Sequence, residues 1–171
     1  MIEVITHKDR RGWFSRTYCK DEFHKIDHYK EWVQINHSFT TEKGIIRGMH
    51  FQLPPFAETK LIRCISGSIY DVAIDLRKNS NTFLKWFGIE LSVENKKMIL
   101  IPEGFAHGFQ TLTDNCELIY HHSNFYTPNS EGGIKYDDPL VGINWPLKKA
   151  GISEKDNQYE YLEENFKGIS L

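Results

Sequence analysis

Polar and titratable side chains interrupt several segments that are otherwise apolar and rich in strand-forming residues. They are Arg47, His50, Lys60, Arg63, Asp71, Asp75, Arg77, His107 and Tyr120. Histidine and tyrosine can transfer protons, while lysine and arginine can hold negative charge. A strand presents such groups either to solvent or to a cavity. We expect a barrel mouth lined by them, because the chain has few helical segments.

Common catalytic motifs of other enzyme classes are absent from the chain. It contains no glycine-rich phosphate loop ending in Lys-Ser or Lys-Thr and no dinucleotide-binding fingerprint. It also lacks the Gly-x-Ser-x-Gly turn that carries a serine nucleophile. The polar groups within the strand candidates are therefore the leading candidates for chemistry.

The segments that must position these groups are short, β-rich and separated by turn residues. Short strands at this spacing predict an antiparallel sandwich or barrel rather than a parallel α/β sheet. The strand candidates are Trp32–Ser38, Ile45–Gln52, Lys85–Leu91, Lys97–Ile101, Gly108–Leu112 and Glu117–His122.

Two further strands are expected between Lys60 and Arg77. The Ser66-Gly67-Ser68 turn between them predicts a β-hairpin. In the second strand the alternation predicts two faces. One face has Tyr70, Val72, Ile74 and Leu76, and the other has Asp71, Ala73 and Asp75.

Helices are expected only near the ends of the chain. Lys20–Ile26 is a short candidate. Ser153 is a candidate N-cap with Asp156 three residues later, a spacing typical of a capping box, and the helix could continue to Phe166.

Composition restricts the class of protein. The chain has 171 residues, 40% hydrophobic and 26% charged, which predicts one globular domain over residues 1–171. The formal charge of -2 supplies no basic surface for nucleic acid or an anionic membrane, and no apolar run is long enough for a membrane span. The three cysteines are far apart and odd in number, so we expect a reducing, cytoplasmic setting.

Longer motifs reveal a family resemblance. They are DRRGWF (9–14), Gln34-x-Asn36-x-Ser38, RGMHFQLPPFAETKL (47–61), YDVAIDLRKNSNTF (70–83), IPEGFAHGFQTL (101–112), DDP (137–139), NWP (144–146) and Ser153-x-Lys155-Asp156. In this order they resemble the dTDP-4-dehydrorhamnose 3,5-epimerase family, whose members act on nucleoside-diphosphate-4-keto-6-deoxyhexoses. The resemblance implies an all-β, cupin-type jelly-roll barrel with short peripheral helices, a homodimer, and catalysis without metal or organic cofactor.

The resemblance also implies catalytic roles. A ketone at C4 acidifies the hydrogens on C3 and C5, so inversion needs a base on one face, an acid on the other, and a cation near the C4 oxygen. By resemblance, His50 is the base, Tyr120 the acid, and Lys60 the cation. Asp156 would orient His50, although its place in the capping box offers a purely structural role.

Substrate-binding positions follow from the same resemblance. The nucleotide sugar carries a pyrophosphate, which guanidinium groups bind well. The implied binding residues are Arg11, Gln34, Asn36, Arg47, His107, Glu131 and Lys155. Strand alternation places Arg47 and His50 on opposite faces, so a bulge or kink at Gly48 is expected to bring both to one cavity.

A metal site is not expected. A cupin metal site typically uses His-x-His with a nearby Glu and a later His, whereas this chain reads His50-Phe51-Gln52. The adjacent His121 and His122 point to opposite faces of a strand and cannot chelate together.

One departure and three alternatives remain. Arg16 stands where the family has a substrate-binding glutamate, so another nucleotide or sugar is a reasonable expectation. A C3-only or C5-only monoepimerase or a 3,4-ketoisomerase would use a related barrel on a different nucleotide-linked 4-keto sugar. A non-catalytic sugar-nucleotide-binding cupin would not need the His, Lys and Tyr set, and a metal-dependent dioxygenase would need ligands that the chain lacks.

Overall fold

The computed structural model describes residues 1–171 and is built around two β-sheets that face each other. The first sheet contains β3 (Gln34–Thr40), β5 (Lys60–Ser66), β8 (Met98–Ile101) and β10 (Cys116–His122), in the order β3-β10-β5-β8. The second contains β4 (Ile45–Gln52), β6 (Ser68–Asp75), β7 (Trp86–Ser92), β9 (Phe105–Thr111) and β11 (Glu131–Gly133), in the order β11-β4-β9-β6-β7. This is the predicted all-β jelly roll.

The remaining elements lie outside these two sheets or at their edges. β1 (Thr6–Asp9) and β2 (Gly12–Ser15) form a separate antiparallel hairpin, and the two-residue β12 (Gly151–Ile152) pairs in parallel with β4. The helices are α1 (Lys20–His24) and α2 (Glu154–Asn157), with a single 3₁₀ turn at Pro128–Ser130. No helix of the structure has the length and apolarity needed to cross a membrane.

A hydrophobic core holds the two sheets together. Its buried members come from both sheets and are Ile62, Cys64, Ile69, Ala73, Leu91, Ile99, Ile101, Phe109, Cys116 and Leu118. A second cluster, which includes Val72, Ile74 and Leu76, packs on the other face of β6 against residues of the 134–145 segment and the C-terminal tail. Ala73 and Val72 therefore belong to different clusters, which confirms the predicted alternation along β6.

The predicted hairpin between Lys60 and Arg77 is wrong. β5 pairs with β10 and β8 of the first sheet, whereas β6 pairs with β7 and β9 of the second. Gly67 has a φ of +73° and turns the chain from one sheet into the other. A Cβ there would lie 2.6 Å from Thr113 Oγ1, so the crossing also needs the small residue.

The two predicted helices are present but shorter than expected. α1 ends at His24 rather than Ile26, and α2 ends at Asn157 rather than continuing to Phe166. Ser153 caps α2 as predicted, because its Oγ accepts a hydrogen bond from the Asp156 N–H at 3.0 Å. The acidic tail after α2 lacks the apolar periodicity that would bury a longer helix.

Candidate active site

A cavity of about 260 Å³ lies between the two sheets. Its lining residues come from both and are Asn36, Ser38, Arg47, His50, Lys60, His107, Phe109, Tyr120 and His122. Six residues singled out from the sequence are among them (Asn36, Arg47, His50, Lys60, His107 and Tyr120). The fold therefore brings together groups that lie up to 84 residues apart in the chain.

His50 and Asp156 form a hydrogen-bonded pair at one wall of this cavity. The His50 Nε2–H donates to Asp156 Oδ1 at 2.7 Å, so Nδ1 is the ring nitrogen left to accept a proton. Burial alone would raise the pKa of Asp156, but hydrogen bonds from His50 and from the Gly48 N–H outweigh it and hold this pKa below its usual value. Asp156 therefore serves His50 rather than completing a capping box.

A bulge in β4 brings Arg47 and His50 to the same cavity, as the sequence predicts. Arg47 pairs with Phe109 and His50 with His107, so β4 has one residue more than β9 between these pairs. Gly48 has a φ of +116°, and its N–H donates to Asp156 Oδ2 at 2.9 Å. The bulge in β4 therefore also helps to position the Asp156 carboxylate.

Tyr120 lies on the opposite wall, in the first sheet. Its hydroxyl forms a hydrogen bond with Ser38 Oγ at 2.9 Å. Burial raises the pKa of the Tyr120 phenol, and the bond to Ser38 opposes this shift only in part. The phenol is therefore neutral, and it lines the same cavity as His50 from the other sheet.

Lys60 is fixed beside a buried acid. Its Nζ lies 3.2 Å from Glu58 Oε1, and Glu58 Oε2 accepts a hydrogen bond from His122 Nδ1 at 2.8 Å. His122 in turn contacts Asn36, whose side chain also accepts a hydrogen bond from Gln34. Lys60 thus lines the cavity while its ammonium group is paired with Glu58.

Three histidine–carboxylate pairs surround the cavity, and exposure distinguishes them. His107 Nε2–H donates to Asp71 Oδ2 at 2.9 Å, and His122 pairs with Glu58. The side chains of His107 and His122 are 6% and 9% exposed, whereas that of His50 is 32% exposed. His50 is consequently the imidazole of the three that a ligand can reach most easily.

Charged groups at the mouth form a second cluster. Glu131 Oε2 accepts hydrogen bonds from Lys155 Nζ at 2.6 Å and from the Tyr126 hydroxyl at 2.7 Å. These bonds hold the pKa of Glu131 below its usual value, although burial acts in the opposite direction. Arg47 donates to Thr40 Oγ1 and to the Phe39 carbonyl, which orients its guanidinium.

Arg11 and Arg16 are not part of the cavity lining in this chain. Arg11 lies in the β1–β2 hairpin, where its exposed guanidinium pairs with Asp9 at 2.6 Å. Arg16 pairs with Glu22 at 2.9 Å on the surface. Within one protomer, the replacement of a family glutamate by Arg16 therefore leaves the cavity lining unchanged.

The structure has no group of three or more His, Cys, Asp or Glu side chains arranged to hold a metal ion. His121 and His122 point to opposite faces, as predicted. His122 lines the cavity, whereas the ring of His121 packs against Trp32 with 5.9 Å between centroids.

Sequence reasoning missed Glu58 and His122 as parts of the site. Both are two residues from a predicted site residue on the same chain segment, Lys60 and Tyr120 respectively. No strand pattern applies to Glu58, which lies two residues before β5 begins, and for His122 the available signal was side-chain alternation along β10. It did not reveal that the two segments pair with each other, which depends on the sheet register.

Comparisons with known proteins agree with this geometry. Residues 1–164 match the family model described as dTDP-4-dehydrorhamnose 3,5-epimerase. An enzyme of that name from Shigella flexneri is 44% identical over 168 residues, covering 97% of this chain and 92% of that protein.

Solved structures give the same result. A dTDP-4-dehydrorhamnose 3,5-epimerase from Bacillus anthracis with TDP and PPi bound has a TM-score of 0.91 and 39% identity, and the match covers 94% of this chain and 91% of that one. An epimerase from Legionella pneumophila in complex with dTDP-4-keto-L-rhamnose has a TM-score of 0.88 and 36% identity, with 93% and 85% coverage.

The bulge in β4 yields a stability prediction. A Cβ on Gly48 would lie 2.6 Å from the Gly108 Cα and 2.7 Å from the His107 carbonyl oxygen. We expect Gly48→Ala to lower the free energy of unfolding by about 2–5 kcal/mol, because backbone strain and steric overlap add. Gly142→Ala is the matched control, since Gly142 also has a positive φ but nothing lies within 4 Å of its added Cβ. Gly142→Ala should lower the free energy of unfolding, measured by urea denaturation, by only about 1 kcal/mol. Equal losses would show that close packing at Gly48 is unimportant.

Proposed function

This chain belongs to the dTDP-4-dehydrorhamnose 3,5-epimerase family, and from this premise we propose that its cavity inverts both C3 and C5 of a dTDP-linked 4-keto-6-deoxyhexose. The family consists of enzymes that act on a nucleotide sugar in deoxysugar biosynthesis. The observation that carries the proposal is the placement of His50, the most exposed imidazole of the three pairs, on one sheet and Tyr120 on the facing sheet.

The proposed reaction is two successive proton exchanges at carbons next to the C4 ketone. His50 Nδ1 removes the C–H proton, and the electron pair moves toward the C4 oxygen to form an enolate. Lys60 neutralises the charge on that oxygen, and Asp156 stabilises the imidazolium. Tyr120 then delivers its phenolic proton to the opposite face of the carbon, and solvent restores both groups. The position of Tyr120 in the first sheet, facing the sheet that carries His50, supports this role.

The polar residues around the mouth are proposed to bind the rest of the substrate. Arg47, His107 and Lys155 are suited to the pyrophosphate and the sugar, with Glu131 holding Lys155 in place. Gln34 and Asn36 are assigned to the nucleoside end. The three cysteines are unpaired, which supports a reducing compartment, the cytoplasm, as the site of the reaction.

Replacing the proposed base should abolish the reaction. We expect His50→Ala to remain folded and to lose at least 100-fold in hydrogen exchange at C3 and C5, since general-base catalysis contributes roughly 10²–10⁴-fold. The assay is incubation with dTDP-4-keto-6-deoxyglucose in deuterated water, read by NMR and mass spectrometry. His37→Ala is the control, because His37 is an exposed strand histidine that pairs with Glu117 and does not line the cavity. If the wild-type protein exchanges hydrogen at only one carbon, the enzyme is a monoepimerase. If the product carries its ketone at C3, the enzyme is a ketoisomerase.

Removing the proposed acid should separate exchange from inversion. Tyr120→Phe deletes only the hydroxyl, so the enolate should still form and the substrate should still take up deuterium. Inversion should be poor, because most of the enolate is reprotonated on the face from which the proton left. Tyr126→Phe is the matched control, since the Tyr126 hydroxyl donates to Glu131 at the mouth. If Tyr120→Phe inverts the substrate at the normal rate, another residue must be the proton donor, and Tyr126 is the first candidate.

We further propose that the chain works as a homodimer. The β1–β2 hairpin is outside both sheets, and its Phe14 and Trp13 side chains are 70% and 50% exposed. A second copy that covers this hairpin would bury both rings and could receive Arg11 in its own cavity. Sedimentation at micromolar concentration should give twice the mass of the chain, and Phe14→Ser should shift the equilibrium toward monomer. A monomeric wild-type protein would contradict the proposal.

A further inference from the structure

Glu58 is a buried carboxylate to which the proposed mechanism gives no task. Its side chain is 8% exposed and lies between two donors, Lys60 Nζ at 3.2 Å and His122 Nδ1 at 2.8 Å. Burial alone would raise the pKa of Glu58, but the bond from His122 and the charge of Lys60 outweigh it and hold this pKa below its usual value. Glu58 is therefore an anion that two cavity residues share.

A series of hydrogen bonds runs from the Tyr126 N–H to Glu58, and in each of them only one of the two groups can be the donor. The backbone N–H of Tyr126 can only donate, and it donates to Gln34 Oε1 at 3.0 Å. The other end of that amide, Gln34 Nε2, must then donate to Asn36 Oδ1 at 3.2 Å. Asn36 Nδ2 therefore donates to His122 Nε2 at 3.2 Å. The ring proton of a neutral His122 must lie on Nδ1, where it is donated to Glu58.

We propose that Glu58 and His122 are positioning residues, which hold the ammonium group of Lys60 and the amide of Asn36 in one connected arrangement. This inference rests on the proposed function, in which Lys60 meets the C4 oxygen and Asn36 the nucleoside end. The chain of bonds from Asn36 through His122 and Glu58 to Lys60 spans the cavity wall between these two ends of the substrate. His122 adds a packing contact, since its ring stacks on that of Tyr120 with 6.2 Å between centroids and a 21° interplanar angle.

The series of hydrogen bonds from Asn36 to Lys60 depends on the negative charge of Glu58. A carboxylate has two acceptor oxygens and satisfies both donors. Glutamine has nearly the same shape but one NH₂ end, which would face either the His122 Nδ1–H or the Lys60 ammonium group. If the His122 proton moved to Nε2, it would face the Asn36 Nδ2–H, so two donors would meet. The side-chain amides of Gln34 and Asn36 cannot flip to relieve this, because the Tyr126 backbone N–H needs the Gln34 oxygen as its acceptor. Glu58→Gln must therefore remove at least one of the hydrogen bonds that connect Asn36 to Lys60.

The first test measures the tautomer of His122 and needs no substrate. In ¹⁵N-edited NMR of the wild-type protein near pH 7.5, the His122 signals are assigned by their loss in His122→Gln. We expect a neutral ring with its proton on Nδ1, and a change of tautomer or of both nitrogen shifts in Glu58→Gln. A proton on Nε2 of wild-type His122, or a doubly protonated ring, would overturn the inference whether or not Glu58→Gln folds.

The second test is kinetic and uses the same variants. We expect Glu58→Gln to lower kcat roughly 10- to 100-fold, in the range for loss of a hydrogen bond to a charged group. His122→Gln should also lower kcat, because it breaks the same chain of bonds to Lys60, and should raise KM in addition, through Asn36. In kcat, the double variant should be no more than about twofold worse than Glu58→Gln alone, because both changes break one chain.

His121→Gln is the matched control for the kinetic test. It replaces the neighbouring histidine, whose ring packs on Trp32 away from the cavity, and should change kcat and KM less than about twofold. A Glu58→Gln variant within twofold of the wild type, or fully additive effects in the double variant, would overturn the inference. A wild-type protein that transforms no dTDP-4-keto-6-deoxyhexose would instead refute the proposed function and leave the tautomer result standing.

Discussion

The carboxylate of Asp156 is the point on which the geometry of the site depends. Its Oδ1 accepts from His50 and its Oδ2 from the Gly48 N–H, while its own backbone N–H is capped by Ser153. A buried charge is stable only when its hydrogen bonds are satisfied, so the contacts to His50 and Gly48 must form together, while Ser153 fixes the start of α2. They join α2 to the bulge in β4, next to the short parallel pairing of β12 with β4. The orientation of His50, and with it the nitrogen left free for chemistry, follows from this one connection.

The two sheets convert that local geometry into a site with two faces. Their apolar core keeps them apart at a fixed distance, and the cavity opens where polar side chains replace the core residues. His50 belongs to one sheet and Tyr120 to the other, so a ligand between them would have the proposed base on one side and the proposed acid on the other. Inversion of a carbon centre requires this separation, because a single group returns the proton to the side from which it came.

Charge compensation around the cavity follows a repeated pattern. Asp156, Asp71 and Glu58 are buried acids, and each accepts a hydrogen bond from a histidine of the cavity wall. The bound ring nitrogen is Nε2 in His50 and His107 but Nδ1 in His122, so the carboxylates select different free nitrogens. Burial then separates their roles, since His50 alone among the three is substantially exposed. The same type of pair thus occurs once at a position open to a ligand and twice within the buried wall.

The sequence by itself determined most strands of the two facing sheets and six of the residues that line the cavity. β4 has the predicted bounds, the two faces of β6 alternate as expected, and Ser153 caps α2, because such features depend on the order of nearby residues. The motif that contains His50 and Lys60, together with those at residues 70–83 and 101–112, indicated the family. Only the tertiary structure decided that β5 and β6 belong to different sheets, that Arg11 lies away from the cavity of its own chain, and that Glu58 meets His122. These depend on strand register and on contacts between distant segments, and alternation along one strand identifies a face without identifying what lies opposite it.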